Sequence, residues 1–193
     1  MDYKEVIRNT ISDSIDAKKT FLSTDECSES FARACEMMVN SLQEGGKLLV
    51  FGNGGSAADS QHMAAELVVR FEKERKGIPC IALTTDTSIL TAGGNDYGYN
   101  SIFARQIEAL GTPGDVALAI STSGNSENIL KAVNTAKEKK MFTVALSGRD
   151  GGALRDVADV NIIVPSDVTA RIQEVHSAII HTFCKIIEDT FSK

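Results

Sequence analysis

Three polar side chains recur at four-residue intervals in one stretch of the sequence, His62, Glu66 and Arg70, and the first two are suited to acid–base or metal chemistry. Residues four apart lie on the same face of an α-helix, so the imidazole and the carboxylate can act on one bound molecule. Such a pair can transfer protons or ligate a divalent metal ion. A solvated helix pair is the alternative, and the spacing alone favours neither. For Arg70, a contact with a substrate oxygen and an ordinary ion pair are equally open.

A glycine-rich turn precedes these side chains and predicts a binding site at the start of their helix. The short apolar run from Leu48 to Phe51 predicts a strand, which stops at the sequence Gly52-Asn53-Gly54-Gly55-Ser56. A strand followed by a tight turn and a helix start leaves backbone N–H groups and the positive end of the helix dipole free. We therefore expect an anionic or hydroxyl-rich ligand beside this turn.

A second loop, Ser121-Thr122-Ser123-Gly124-Asn125-Ser126, carries four hydroxyl groups and one glycine within six residues. It lies between a predicted strand and a predicted helix, where hydroxyl and N–H donors can surround the oxygens of a phosphate group. The loop has no lysine, so it is not the nucleotide-binding P-loop, which ends in Gly-Lys-Ser or Gly-Lys-Thr. Helix capping by Asn125 or Ser126 is the alternative, but capping requires one such side chain rather than four.

The Gly52 turn also matches the G-x-G-x-x-A pattern of dinucleotide-binding folds, with Asp86 as the candidate ribose-binding acid. Asp86 follows the turn by about thirty residues, whereas about twenty are typical of that motif. The hydroxyl-rich loop further favours a phosphorylated ligand, because a dinucleotide does not require a separate phosphate site after the third strand.

The elements that must position these groups are predicted from hydrophobic periodicity. Residues 2–22 and 26–44 form two predicted helices, the first with Ile7, Ile11 and Ile15 at four-residue intervals. The fold class is predicted as α/β, a doubly wound five-stranded parallel sheet with N-terminal helices. Ligands of such sheets bind at the carboxyl ends of the strands, where both loops lie. The predicted strands are Leu48–Phe51, Pro79–Leu83, Val116–Ile120, Phe142–Leu146 and Val160–Val164.

Composition indicates one globular domain. The 193 residues are 42% hydrophobic and 24% charged, values ordinary for one domain, and the chain is short for two. A net charge of −6 argues against non-specific nucleic-acid binding, and no apolar stretch is long enough to span a membrane. The N-terminal residues lack signal-peptide character, and the four cysteines have no disulfide or metal-binding spacing. We therefore expect a cytoplasmic protein that binds neither nucleic acid nor membranes.

Four separated motifs together resemble those of the phosphoheptose isomerases, which belong to the sugar-isomerase-domain (SIS) superfamily. The resemblance extends over nearly the whole chain and implies a single flavodoxin-like SIS domain over residues 1–193, with residues 1–45 as a helical oligomerisation segment. The family converts sedoheptulose 7-phosphate into D-glycero-D-manno-heptose 7-phosphate, the first step toward the heptose of bacterial lipopolysaccharide or capsule. The motifs are Gly52 to Ser56 with His62 and Glu66, Gly94-Asn95-Asp96-Tyr97-Gly98, Ser121 to Ser126, and Arg171-Ile172-Gln173-Glu174 with His181.

The resemblance implies a role for each matching position. Glu66 and His181 are the implied acid–base pair, and one zinc ion per subunit is the implied cofactor. The implied metal ligands are His62, Glu66, Gln173 and His181. The implied substrate contacts are Asn53, Gly54, Gly55, Glu66, Asn95, Asp96, Ser121, Thr122, Ser123, Ser126 and Gln173.

The spacing on the C-terminal helix bears on how the implied metal site is built. Gln173 and His181 are eight residues apart, which separates them by about 12 Å along a straight helix. Because a metal bond is only about 2.0–2.2 Å long, we expect these residues of one chain to serve different sites or to need a packed neighbour. The resemblance likewise implies a homotetramer with active sites between subunits. Variants of Glu66 and His181 are then expected to complement each other in mixed assemblies, and His176 is expected to be a polar fringe residue.

Two other classes of function remain open on the sequence alone. A close relative of these isomerases is a tetramer that binds the bacterial replication initiator without catalysis, so an interaction protein is one alternative. A sugar-phosphate-sensing or NAD-binding module is the other. Intact Glu66, Gln173 and His181 favour the enzyme, because a pure scaffold has no use for that set of side chains.

Overall fold

A five-stranded parallel sheet lies at the centre of the computed structural model, which describes residues 1–192. The strand order is β2-β1-β3-β4-β5, and neighbouring strands run parallel. The predicted doubly wound sheet is confirmed, because apolar runs of this kind form strands that are covered on both faces. The strands are β1 (Leu48–Gly52), β2 (Cys80–Ala82), β3 (Val116–Ser121), β4 (Phe142–Gly148) and β5 (Val160–Val164).

Helices cover both faces of the sheet. Side chains of α2, α3 and α8 pack on one face, and side chains of α5 and α6 pack on the other. The two predicted N-terminal helices are confirmed as α1 and α2. Among residues 1–192, none of the helices is both long and apolar enough to traverse a bilayer. The helices are α1 (Tyr3–Leu22), α2 (Asp25–Gln43), α3 (Gly55–Val68), α4 (Thr87–Tyr97), α5 (Ile102–Leu110), α6 (Glu127–Glu138), α7 (Leu154–Val157) and α8 (Thr169–Phe191), with a 3₁₀ turn at Tyr99–Ser101.

Strand β1 shows how the core is divided between the two faces. Leu48 and Val50 belong to the hydrophobic cluster under α2, α3 and α8, whereas Leu49 and Phe51 belong to the cluster under α5 and α6. Successive side chains of a strand point to opposite faces, so one continuous apolar run supplies both clusters. The sheet is thereby fixed from both sides, and its carboxyl edge becomes a rigid base for the loops that follow each strand.

Helix α1 packs outside the core and keeps an apolar face in solvent. Ile7, Ile11 and Ile15, the residues that predicted the helix, are 57%, 52% and 47% exposed. The prediction that residues 1–45 mediate oligomerisation stays a prediction. All four cysteines are free thiols, and Cys80 is buried within the core, as the sequence predicted.

Candidate active site

The two predicted ligand-binding loops lie side by side at the carboxyl edge of the sheet. Strands β1 and β3 are direct neighbours, and Gly52 at the end of β1 pairs in register with Ile120. The Gly52 turn and the loop that begins at Ser121 therefore leave the sheet at the same level. A ligand can contact both loops at once.

Two glycines shape the first loop, one through its backbone conformation and one through its contact with α8. Gly54 is the N-cap residue of α3 and has φ 56°, a left-handed conformation that favours glycine. A Cβ atom at Gly55 would lie 2.2 Å from Nε2 of Gln173, so a larger residue would displace that amide. The loop thus brings the start of α3 against the first turn of α8.

A cavity of about 210 Å³ lies between the second loop, the start of α3 and the start of α8. It contains predicted substrate contacts from both loops together with Gln173 from α8. Ser56 and Thr169 also line it and were not predicted; their hydroxyls stand at the starts of α3 and α8, which is the signal that could have identified them. The lining residues are Asn53, Ser56, Ile120, Ser121, Thr122, Ser123, Ser126, Thr169 and Gln173.

The hydroxyl of Ser126 is not used as a helix cap. Ser126 is the N-cap residue of α6, yet within the described chain its side chain makes no capping hydrogen bond. Its Oγ lies 3.5 Å from Oγ of Ser121 instead. Asn125, the other capping candidate, accepts a hydrogen bond from the backbone N–H of Ala153 (2.9 Å). The hydroxyl of Ser123 accepts a hydrogen bond from the N–H of Asn125 (3.2 Å) but can still donate its own proton. The loop hydroxyls can therefore donate to a ligand, which favours the phosphate interpretation over capping.

Asn53 is held by two residues that sequence reasoning missed. Asn53 and Asn128 exchange two amide hydrogen bonds, each 2.9 Å long, and Asn128 is only 3% exposed. The hydroxyl of Tyr99 donates to Oδ1 of Asn53 (3.2 Å). Asn128 carries no sequence signal of its own, because an asparagine in the first turn of a helix is most simply explained by local capping.

Five predicted substrate contacts do not line the cavity: Gly54, Gly55, Glu66, Asn95 and Asp96. Asn95 and Asp96 lie on α4, a helix without buried residues in the described chain, and Nδ2 of Asn95 donates to Oδ1 of Asp96 (2.7 Å). The start of the same helix also weakens the dinucleotide alternative. Asp86 is the N-cap residue of α4 and accepts a hydrogen bond from the N–H of Ile89 (2.9 Å), so its carboxylate has a structural role.

The side chains suited to proton transfer meet where α3 and α8 pack together. Nε2 of His62 lies 2.7 Å from Nε2 of His181, and the two rings meet edge to face. Oε1 of Glu66 lies 3.7 Å from Nε2 of His62. His62 and Glu66 are therefore neither isolated nor merely solvated, since a second imidazole from another helix joins them.

A half-buried carboxylate lies near the same two imidazoles. Asp59 lies one helical turn before His62 and accepts a hydrogen bond from the hydroxyl of Ser177 (3.2 Å). Burial raises the pKa of Asp59, although the Ser177 hydroxyl and charges on His62 and His181 oppose this shift. Asp59 can support positive charge on the imidazoles without being assigned a role by any sequence motif.

The donor set of this cluster fits a divalent metal ion chemically. Two imidazole nitrogens and a carboxylate are ligands that zinc commonly uses, and they converge from two packed helices. Two nitrogens bound to one tetrahedral zinc ion stand about 3.3 Å apart, so the imidazoles would have to separate slightly. Within residues 1–192, His, Cys, Asp and Glu side chains do not form a group of three at metal-binding geometry.

Gln173 stands apart from the two histidines. Helix α8 runs unbroken from Thr169 to Phe191, so Gln173 lies about 12 Å from His181 along its axis. One chain thus brings together His62, Glu66 and His181 but leaves the fourth predicted ligand at the cavity. Glu66 and His181 both approach His62 within one chain, so the structure gives no support to the expectation that Glu66 and His181 variants complement each other.

The prediction for His176 is wrong. His176 is fully buried rather than on a polar fringe, and its Nε2 lies 3.0 Å from the carbonyl oxygen of Ser147. The hydrophobic face of α8 is wider than the sequence pattern indicated, because this helix packs against the sheet and against α1, α2 and α3. Arg70 is exposed and forms no ion pair within residues 1–192, so both alternatives for it stay open.

Comparison with known proteins agrees with this geometry. The family model described as "SIS domain" matches residues 13–148. A phosphoheptose isomerase from Geotalea daltonii is 57% identical over 163 residues, which cover 84% of this chain and 85% of the relative. The structure of a phosphoheptose isomerase from Francisella tularensis matches with a TM-score of 0.93 and 43% identity, covering 98% of this chain and 100% of that one. The structure of a phosphoheptose isomerase from Neisseria gonorrhoeae matches with a TM-score of 0.90 and 44% identity, covering 96% of this chain and 98% of that one.

Proposed function

The chain belongs to the phosphoheptose isomerases of the SIS-domain family, and on that premise we propose how its residues act on sedoheptulose 7-phosphate. The enzyme is an isomerase of heptose biosynthesis, and its product is D-glycero-D-manno-heptose 7-phosphate. The reaction moves a carbonyl group from C2 to C1. It requires a base beside C1 and C2, hydrogen-bond donors that stabilise the enediolate, and a binding site for the phosphate at the other end of the sugar.

The observation that supports the proposal most strongly is that the distance between the hydroxyl-lined cavity and the histidine cluster matches the length of the substrate. Ser56, at the cavity, and His62, at the cluster, are six residues apart on α3, which corresponds to about 9 Å along its axis. A seven-carbon chain at about 1.2 Å per bond spans roughly 7 Å, and the two bonds to phosphorus add about 2–3 Å. An extended heptose 7-phosphate can therefore reach both places at once.

The phosphate group binds at the cavity. The hydroxyls of Ser121, Thr122, Ser123 and Ser126 donate to its oxygens, and the free N–H groups at the starts of α3 and α6 add positive potential. Asn53, oriented by Asn128, contacts the sugar hydroxyls next to the phosphate. Asn95 and Asp96 lie on the exposed helix α4, so their proposed contacts with the sugar require α4 to approach the bound chain.

Glu66 and His181 carry the proton transfers. Glu66 removes the proton from C1 of the ketose and returns it to C2, so that its carboxyl group ends the cycle ionised again. His181 moves the hydroxyl proton from O1 to O2, for which an imidazole is suited because its unperturbed pKa is near neutral pH. Both side chains lie within one cluster with His62, which supports their action on adjacent carbons.

Zinc is the proposed metal. His62, Glu66 and His181 of one chain would hold it, with Gln173 of a neighbouring chain as the fourth ligand, and a divalent ion held there would supply Lewis-acid chemistry to the substrate. This arrangement requires an oligomer, and we propose a homotetramer with shared sites. The exposed apolar face of α1, formed by Ile7, Ile11 and Ile15, supports assembly through residues 1–45.

A cytoplasmic location is part of the proposal. Free thiols are typical of a reducing compartment, and the four cysteines of this chain are unpaired within residues 1–192. Neither a NAD-binding role nor a purely structural partner role gains support from the site, since Asp86 caps α4 and the proton-transfer cluster is complete in its side chains.

The experiment is an assay of the purified protein with sedoheptulose 7-phosphate, with the aldose product detected by NMR. We expect turnover that a zinc chelator abolishes and added zinc restores, together with a mass near four times 20.7 kDa by light scattering. Absence of an aldose product from the zinc-loaded protein would contradict the proposed activity. Full activity in a monomer would contradict the shared site.

A further inference from the structure

An almost completely buried ion pair joins the loop after α3 to the last turns of α8. The loop comprises residues 69–79, and it contributes Arg75, whose Nε lies 3.3 Å from Oε1 of Glu188 on α8. The two side chains are only 1% and 2% exposed. Charged side chains are rarely buried so fully, and a buried pair often adds little net stability compared with apolar residues. Stability alone therefore does not account for the burial of this pair.

The carboxylate of Glu188 organises the loop around itself. It accepts backbone hydrogen bonds from the N–H groups of Phe71 (2.9 Å), Glu72 (2.7 Å) and Lys73 (2.9 Å). Burial alone would raise the pKa of Glu188, but these three donors and Arg75 outweigh it and lower the pKa. The ionised carboxylate thus fixes three consecutive residues against α8.

The guanidinium group of Arg75 completes the end of α3. Its Nη2 donates to the carbonyl oxygen of Glu66 (2.7 Å), and its Nη1 donates to that of Leu67 (2.7 Å). Carbonyl groups in the last turn of a helix have no partner within the helix, and α3 itself has no basic residue in that turn. Arg75 therefore holds the backbone of the residue that carries the proposed base.

The same loop reaches the proposed acid. The ring of Phe71, whose N–H is bound by Glu188, lies 5.8 Å from the imidazole of His181 at an interplanar angle of 32°. The buried pair is thus in contact with the supports of both Glu66 and His181.

We propose that Arg75 and Glu188 are positioning residues of the isomerase: they fix the end of α3 to α8 and thereby set the placement of Glu66 relative to His181. Neither residue touches the substrate. Proton transfer depends steeply on distance and orientation. A small displacement of Glu66 therefore slows catalysis without weakening binding of the substrate phosphate. The phosphate cavity lies at the opposite end of α3 and is built by other loops.

The test compares Arg75→Lys and Glu188→Gln with the wild-type enzyme, all zinc-loaded and with sedoheptulose 7-phosphate as substrate. Arg75→Lys keeps a positive charge, but a single ammonium group cannot reproduce the planar fork that faces Glu188 through Nε and both carbonyls through Nη1 and Nη2. Glu188→Gln keeps the shape but loses the charge and one acceptor oxygen. We expect kcat to fall about 10- to 100-fold in each folded variant, with KM changed by less than about threefold.

A matched control removes a surface link between the same two segments. Nζ of Lys73 lies 2.5 Å from Oδ1 of Asp189, and both side chains are about half exposed, at 52% and 42%. Lys73→Met with Asp189→Asn breaks that link and leaves the buried pair intact. We expect kcat of this control to stay within about twofold of the wild type, as for a surface ion pair.

Three outcomes would overturn the proposal: kcat unchanged in both test variants, a KM increase that accounts for the whole loss, or variants that are unfolded at the assay temperature. The proposal rests on the proposed function, and the assay separates the two. If Glu66→Gln retains activity, the role of Glu66 fails. If Glu66→Gln is inactive while Arg75→Lys and Glu188→Gln are fully active, only the positioning role fails.

Discussion

At the scale of single residues, the structure separates side chains whose types looked alike in the sequence. His62, His176 and His181 are the only histidines, and two of them meet at 2.7 Å while the third is buried among apolar side chains. The sequence could place all three on helices but could not determine which of them face solvent. Burial depends on what packs against a helix, and that information is distributed over the whole chain.

His176 predicts a specific dependence of stability on pH. Burial lowers its pKa to about 4, only partly opposed by the carbonyl of Ser147, and Nδ1 has no hydrogen-bond partner within residues 1–192. An unfolded histidine binds a proton near pH 6.5, so between that pH and about 4 the unfolded state binds more protons. Stability then falls as pH falls through this window, by up to about 1.4 kcal/mol per pH unit. Denaturant titrations at several pH values measure this slope.

His176→Gln is the control for that measurement. The amide can still donate to the carbonyl of Ser147, but it does not titrate. Between pH 4 and 6.5, the interval set by the lowered and ordinary pKa values, we expect the unfolding free energy of the variant to depend less steeply on pH than that of the wild type. The difference in slope corresponds to at most one bound proton. An unchanged slope would show that His176 is not the titrating group.

At the scale of elements, the strands and the binding loops were predictable because their signals are local. Short apolar runs ending in glycine fixed the positions of β1 and its turn, and four hydroxyls marked the loop after β3. The supports of the site were not predictable. Glu188 binds the N–H of Phe71 across 117 residues of sequence, and Arg75 lies in a charged run that typically indicates a solvated surface.

The loop after β3 predicts a loss specific to phosphorylated substrates. Replacing Ser121, Thr122 and Ser126 together by Ala removes three of the hydroxyl donors that line the cavity. We expect a higher KM for sedoheptulose 7-phosphate, since each lost bond to a charged oxygen is worth on the order of 1.5–3 kcal/mol. Sedoheptulose without phosphate is the control substrate. An equal loss with both sugars would rule out the phosphate site.

At the scale of the whole molecule, the separation of Gln173 from the histidine cluster predicts how chains cooperate. If Gln173 of a neighbouring chain completes each site, a mixture of Glu66→Gln and Gln173→Ala chains forms some sites with every ligand intact. We expect such mixtures, after subunit exchange, to regain part of the wild-type activity. Mass spectrometry of labelled chains verifies the exchange.

A second mixture is the control for subunit cooperation. Glu66 and His181 belong to one cluster within one chain, so Glu66→Gln and His181→Ala chains are not expected to complement each other. Recovery in this second mixture, or failure of the first despite verified exchange, would contradict the proposed division of the site.

The most direct measurement of the central claim follows the proton that Glu66 transfers. Wild type and Glu66→Gln are incubated with sedoheptulose 7-phosphate in deuterated water, and product and deuterium content are measured by NMR. We predict turnover with deuterium at C2 of the aldose for the wild type, whereas folded, substrate-binding Glu66→Gln loses turnover by about 100-fold or more, because an amide cannot accept the proton. Activity of Glu66→Gln within about tenfold of wild type would show that Glu66 is not the base.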